Sequence, residues 1–203
     1  MEQMMRSLAV RYSLAAVLLA GSVAHAEGIA YKSGATFGFG YTFGGSNITT
    51  LHYVDGQTQN IKGGGTYLFK LGGEVRLRDY PIDIQATVGY HVDNDHASNA
   101  EVRYTRWPLE AMVYYRLPTS GFRVGAGLRY VTNTNFSYVF EGTKYADFNF
   151  DKNFGYVVEG EYFFFKTASF SIRYVKEPLS IRSAGERYKA KGDHMGLLMH
   201  VYY

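Results

Sequence analysis

The chain has 203 residues, enough for one domain, and carries 19% charged and 17% aromatic residues with 19 Tyr and 23 Gly. Ordinary globular chains run near ~25% charged and about 7% Gly. A net charge of +3 gives no reason to expect a nucleic-acid partner, and the lack of cysteine excludes disulfides and thiolate metal sites.

The N-terminus reads as a secretory signal peptide. Arg6 and Arg11 supply the positive region, Leu14 to Ala20 the apolar core, and Ala24-His25-Ala26 the cleavage site. A membrane-anchoring helix is the alternative, but the apolar run from Leu14 to Ala24 is far shorter than the ~20 residues a span needs. The expected division is therefore residues 1–26 as signal peptide and 27–203 as one barrel domain. No later segment is apolar enough to cross as a helix. A mature chain in a membrane would then have to cross as a closed barrel, the other structure that satisfies every backbone group in hydrocarbon.

From there the pattern is period two, the spacing at which side chains alternate across a strand. Ala35, Phe37, Phe39, Tyr41 and Phe43 share one face, against Thr36, Gly38, Gly40 and Thr42. Tyr67, Phe69, Leu71, Val75 and Leu77 oppose Lys70, Gly72, Glu74 and Arg76. The cleanest segment sets Ile82, Ile84, Ala86, Val88, Tyr90 and Val92 against Asp83, Gln85, Thr87, Gly89, His91 and Asp93. Trp107, Leu109, Ala111, Val113, Tyr115 and Leu117 oppose Arg106, Glu110, Tyr114 and Arg116.

The second half repeats the alternation. Phe122, Val124, Ala126, Leu128 and Tyr130 face away from Arg123, Gly125, Gly127 and Arg129. Phe154, Tyr156, Val158, Tyr162 and Phe164 oppose Gly155, Glu159 and Glu161. Phe170, Ile172 and Tyr174 oppose Ser169, Ser171 and Arg173, and Met195, Leu197, Met199, Val201 and Tyr203 oppose Gly196, His200 and Tyr202. Eight such segments predict an all-β fold, an eight-stranded antiparallel up-and-down transmembrane barrel. A soluble β-sandwich would alternate in the same way; the signal peptide, the uniformly apolar set and the terminal Tyr203 argue against it.

The links are of two kinds. Asp79 to Pro81, Pro118 to Gly121 and Phe165 to Thr167 are tight. Gly44 to Gly64, Asn94 to Glu101, Asn133 to Lys152 and Glu177 to Asp193 are longer. Short periplasmic turns and long extracellular loops are the rule for such barrels, so both termini are expected in the periplasm. Asp55-Gly56 reads as a hairpin turn between 49–54 and 57–61. Residues 141–144 read as the tip joining 137–140 to 145–150.

With the apolar faces in lipid, the interior holds Lys70, Arg76, Arg106, Arg116, Arg123, Arg129 and Arg173 against Glu74, Asp83, Glu110, Glu159 and Glu161. An eight-stranded barrel is just wide enough for side chains to fill it, and buried charges must pair. The expected interior is a salt-bridged plug, with a narrow channel for small polar solutes as the alternative. Gly38, Gly40, Gly72, Gly89, Gly125, Gly127 and Gly155 fall on the inward face, where small residues leave room for long ones.

The signal peptide, the eight strands with a polar lumen and the ending Met199-His200-Val201-Tyr202-Tyr203 resemble the small Gram-negative outer-membrane barrels. The nearest types are the transmembrane domain of outer membrane protein A and the porin-like barrel family. The stretches Ala97-Ser98-Asn99 to Glu110 and Gly125 to Leu128 also resemble members of that family. The resemblance implies location and fold better than function. It implies that Tyr203 belongs to the signal read by the barrel assembly machinery, and that the barrel is a monomer among outer-membrane lipids and lipopolysaccharide.

One constellation suggests catalysis. His96-Ala97-Ser98-Asn99 resembles the His-x-Ser-Asn element of lipid A deacylases, with Glu110 as the carboxylate that would orient the base. Glu110, however, shares the inward face with Arg106 and Arg116. A polar loop with no catalytic role is the preferred reading, and no cofactor or metal is expected. His91, Asp93, Asp95 and His96 crowd one strand end and suit a cation, though a solvated rim suffices. Tyr138, Phe140, Tyr145, Phe148 and Phe150 are read as hairpin packing rather than a contact patch. Lys176, Arg182, Arg187, Lys189 and Lys191 against Glu177, Glu186 and Asp193 give the last link a modest positive excess. The leading expectation is a structural or surface-interaction barrel without catalysis.

Overall fold

A computed structural model describes residues 31–52, 58–62, 64, 66–96, 100–118, 120–140, 143–183 and 186–203. The expected signal peptide, the expected turn at Asp55-Gly56, Ser98 and the expected tip at Glu141 lie outside the described residues.

Eight strands close into a barrel. They are β1 (Tyr31–Gly44), β4 (Tyr67–Leu77), β5 (Ile82–His96), β6 (Ala100–Arg116), β7 (Phe122–Phe140), β9 (Asn153–Phe165), β10 (Ala168–Lys176) and β13 (His194–Tyr202). Each pairs antiparallel with its neighbours, and the ring closes where β13 meets β1, Gly38 opposite His200 and Gly44 opposite His194. Closure removes the open edge that would leave backbone groups unpaired. Tyr203 continues this seam, exchanging backbone hydrogen bonds with Ala35 at 3.0 and 3.1 Å.

Five shorter strands stand at one end. β2 (Asn47–His52) and β3 (Thr58–Lys62) form a hairpin, as do β11 (Pro178–Ser183) and β12 (Glu186–Lys191). β8 (Thr143–Asn149) pairs with the far half of β7. The tight links at 78–81, 117–121 and 166–167 occupy the other end. The two ends are called here the loop end and the turn end.

Two expected loops are shorter than read. β5 and β6 pair as far as His96 opposite Glu101, leaving 97–99 as the link. β7 runs unbroken through Asn133 to Phe140. The polar run Thr132-Asn133-Thr134-Asn135 suggests a loop, but it accommodates a bulge. The pairing shifts between Thr105 opposite Asn135 and Trp107 opposite Thr132, and Asn133 adopts φ 50°. Asparagine is among the few residues that tolerate that conformation.

The outward face is apolar and the inward face buried, strand by strand. In β9 the alternation is unbroken from Asn153 to Glu161. Aromatic rings pair across strands in two belts. Tyr41–Tyr67, Tyr90–Trp107 and Tyr130–Phe154 lie toward the loop end, with centroids 5.9, 5.0 and 4.6 Å apart. Phe122–Tyr162 lies toward the turn end at 4.6 Å, where the consecutive β9 residues Phe164 and Phe165 add two more rings, 5.2 Å apart. On β7 the belts are eight residues apart, about 26 Å of strand. Between them lie Val88, Val113, Val124, Val158, Ile172 and Leu197, all exposed. An apolar band between aromatic girdles is how a membrane barrel meets hydrocarbon and its two boundaries.

Candidate functional site

The interior is a continuous network of charges with apolar spacers. At the turn end its centre is Arg123, 1% exposed. Its Nη1 donates to Asp83 Oδ2 at 2.7 Å and lies 2.7 Å from Glu74 Oε2. Its Nε donates to Glu161 Oε2 at 2.8 Å, and its Nη2 to the Tyr202 hydroxyl at 2.7 Å. The guanidinium also lies over the Tyr114 ring, 4.1 Å from its centroid. That stacking depends on Gly125, where a Cβ would stand 2.3 Å from Tyr114 Cδ1. Arg76 and Arg116, nearer the mouth, lie 3.4 and 3.3 Å from Asp83 Oδ1. Ser169 donates to Glu161.

In the middle, Glu110 gathers three cations. Arg129 Nη1 donates to it at 2.6 Å and Arg173 Nη2 at 2.8 Å, while Lys70 Nζ stands 3.1 Å away. Glu159 accepts from the Tyr114 hydroxyl at 3.0 Å and lies 3.4 Å from Arg173 Nε. Ser171 and His200 Nε2 are 2.9 Å apart. Leu68, Met112, Val157, Val175 and Leu198 fill the space between these groups.

At the loop end, Arg106 donates from Nη1 to Glu177 Oε1 at 2.7 Å, from Nε to His91 Nδ1 at 2.9 Å, and from Nη2 to the Gly64 carbonyl at 2.8 Å. Arg129 Nε donates to Glu177 Oε2 at 2.8 Å. Since His91 Nδ1 faces two guanidinium N–H groups, it must accept; its Nε2–H then points at Thr42 Oγ1, 2.7 Å away. The hydroxyl of Thr42 lies within 3.2 Å of the Gly64 carbonyl. Arg106 thereby fastens the base of the 44–66 link and, through Glu177, the base of the 177–193 link.

A closed barrel with an apolar exterior, two aromatic belts and a charged interior matches one family model. The model for the outer membrane protein beta-barrel domain covers residues 13–197. The chain belongs to that family. This outer-membrane barrel is similar in fold to several solved structures. Neisserial surface protein A is 10% identical, with a TM-score of 0.48 over 87% of this chain and 100% of that one. AlkL is 15% identical, TM-score 0.40, covering 85% and 90%. OprG from Pseudomonas aeruginosa is 13% identical, TM-score 0.38, covering 85% and 95%. No curated protein matches the chain.

The outer-membrane barrel brings together the inward charges named from the sequence. Lys70, Glu74, Arg76, Asp83, Arg106, Glu110, Arg116, Arg123, Arg129, Glu159, Glu161 and Arg173 all take part in ion pairs. It does not bring Glu110 to His96. His96 stands opposite Glu101 at the loop end, and Glu110 lies nine residues further along β6, roughly 30 Å of strand. An orienting carboxylate must touch its imidazole, so these two cannot share a triad. Glu110 is instead committed to Arg129, Arg173 and Lys70.

Two assignments of the sequence change. His91 is 1% exposed inside the lumen rather than on a solvated rim, so it cannot join Asp93 at an outer cation site. Asp93 accepts from the Thr66 hydroxyl at 2.6 Å. Among the described residues no group of His and carboxylates has metal-site geometry. Glu177 is fully buried and pairs with Arg106 and Arg129, where the sequence places it among the charges of a solvated loop. Its strand-end position hides it: Pro178 interrupts the alternation just where Glu177 continues the inward face of Arg173 and Val175. Phe150 stacks edge-on against Tyr104, centroids 5.8 Å apart, which is packing rather than a free contact patch.

The exterior gives a direct expectation. Val158 lies midway between the belts on β9 and is exposed. In this membrane barrel, Val158→Arg should lower folding stability by about 2–4 kcal/mol in lipid vesicles, while Phe165→Arg at the turn end should cost about 0–1 kcal/mol. Equilibrium denaturant titration of the folded barrel in vesicles measures both.

Proposed function

We propose that this outer-membrane barrel is a structural or surface-interaction protein whose lumen is plugged by its own charged side chains. The carrying observation is the unbroken run of ion pairs Arg106–Glu177–Arg129–Glu110–Arg173. Every cation in it already has a carboxylate within hydrogen-bonding reach, and apolar Leu68, Met112 and Leu198 close the gaps. A hydrated ion would have to break charge-assisted bonds to pass, and those are about twice as strong as neutral ones.

The orientation that goes with this reading has both termini in the periplasm and the long links outside. There the loops meet lipopolysaccharide, and Tyr203 serves the assembly machinery during insertion. The barrel acts as a monomer. Glu110 is bound up inside the lumen and leaves the His96–Ser98 element without its carboxylate, which supports a role without catalysis.

Purified protein in planar lipid bilayers tests the plug. Silent membranes at moderate voltage, with no steps in KCl, are the expected outcome. Regular unitary steps would replace the plug with the narrow channel for small polar solutes.

A further inference from the structure

At the loop end, guanidiniums from two neighbouring strands converge on the single carboxylate of Glu177. Glu177 is not part of the strand wall. It is the first residue past β10, and its backbone is tied to the far end of the same link. Gly192 N–H donates to its carbonyl at 2.7 Å, and its own N–H donates to Asp193 Oδ1 at 2.9 Å. The carboxylate is thus presented to Arg106 and Arg129 as a tethered ligand.

The same end of the lumen holds buried polar atoms that Glu177 does not serve. His194 Nδ1 lies 2.6 Å from the Gly192 carbonyl and must donate to it, so its Nε2 carries a lone pair. That Nε2 has no hydrogen-bond partner among the described residues, although His194 is 2% exposed. The His194 ring packs 5.1 Å from His91, whose Nδ1 accepts from both arginines. The Tyr104 hydroxyl is fully buried as well, with no well-aligned hydrogen-bond partner among the described residues, on a ring 5.6 Å from the Arg106 guanidinium. Buried polar atoms are normally satisfied, and each exception requires a reason.

We propose that Arg106, Arg129, Tyr104 and His194 form a binding site for a hydroxyl-bearing oxyanion, hydrogenphosphate in its simplest form, and that Glu177 holds its place when no ligand is bound. The two guanidiniums take the anionic oxygens, in the planar geometry that makes arginine the usual partner of phosphate and carboxylate alike. The Tyr104 hydroxyl donates to a further oxygen, and His194 Nε2 accepts the P–O–H. A ligand that displaces Glu177 also releases the base of the 177–193 link. The site adds a ligand to the closed barrel and does not require that the barrel conduct.

The test is titration calorimetry of inorganic phosphate and of sulfate into the folded full-length barrel near neutral pH. Wild type is compared with Glu177→Gln and Glu177→Ala. Both variants should bind phosphate at least about tenfold more tightly than wild type, because the competing carboxylate is gone. They should bind sulfate, which has no hydroxyl to offer His194, at least about tenfold more weakly than phosphate. Adding Arg106→Met to Glu177→Gln should abolish binding. No phosphate binding by a folded variant, or equal binding of phosphate and sulfate, overturns the site. So does binding seen only with lipid A vesicles, which would mark a headgroup contact. If neither variant folds, hydrogen exchange of wild type decides. Phosphate but not sulfate should speed exchange at the Gly192 amide, and an unchanged rate rules the site out.

Discussion

Replacing Arg123 with leucine should destabilise the barrel by about 3–5 kcal/mol. Arg123 is the cation on which Asp83, Glu74 and Glu161 all converge at the turn end. Arg76 and Arg116 reach Asp83 from the mouth but are partly exposed, and neither is within ion-pair distance of Glu161 among the described residues. Asp83 keeps Arg76 and Arg116 and Glu74 keeps Arg76, but the variant strands the buried Glu161 with no cation within ion-pair distance among the described residues. It also uncovers the Tyr114 face and the Tyr202 hydroxyl. Lysine at the same position should recover only part of the loss. An ammonium is a compact point charge and cannot serve three carboxylates and a hydroxyl in one plane. Urea unfolding of the barrel in detergent, followed by tryptophan fluorescence, gives both numbers; Trp107 is the sole reporter.

Glu110→Gln should have an effect of similar size, again about 3–5 kcal/mol, for the opposite reason. Arg129, Arg173 and Lys70 meet at this one carboxylate. Without it, Arg129 keeps Glu177 and Arg173 keeps Glu159, but Lys70 has no carboxylate left within ion-pair distance among the described residues. Removing that stranded charge as well, in Lys70→Met with Glu110→Gln, should restore more than half of the lost stability. Buried pairs are often replaceable by apolar groups when both partners go together. A double variant no better than Glu110→Gln alone would mean that Lys70 finds another counter-charge.

These expectations rest on assignments that were largely legible in the sequence. Period two in β5 put Asp83, Gln85, Thr87 and His91 inward, and the barrel buries all four. The same rule put Tyr114, His200 and Tyr202 inside without saying what they would touch. What alternation cannot encode is reach. Arg106 lies in β6 and Glu177 just past the end of β10, 71 residues apart in sequence. Only closure of the ring brings them together. Period two also fails at strand ends. Pro178 masked Glu177, and the polar run at Thr132 to Asn135 reads as a loop. There a bulge preserves the strand, because Asn133 can adopt a positive φ that most residues avoid.

The interior also shows why the fold was easier to read than the function. Charges inside a narrow barrel satisfy one another first. Twelve of the ion-pairing residues were visible as inward positions, yet their pairing describes a plug and names no partner. Buried polar atoms without a partner among the described residues occur along the whole lumen, Gln85 Oε1 and Thr87 Oγ1 among them, and those of His194 and Tyr104 stand out only because a tethered carboxylate lies beside them.

The most direct measurement of the barrel assignment is a nitroxide scan along β5, one spin label at a time from position 84 to 88, in lipid vesicles. Labels replacing Ile84, Ala86 and Val88, which face outward, should be strongly relaxed by oxygen dissolved in the bilayer. Those replacing the buried Gln85 and Thr87 should be shielded from both oxygen and a water-soluble nickel reagent. Uniform accessibility along the strand, or nickel relaxation at Ile84, Ala86 and Val88, would contradict a barrel with hydrocarbon on one face and a packed charged interior on the other.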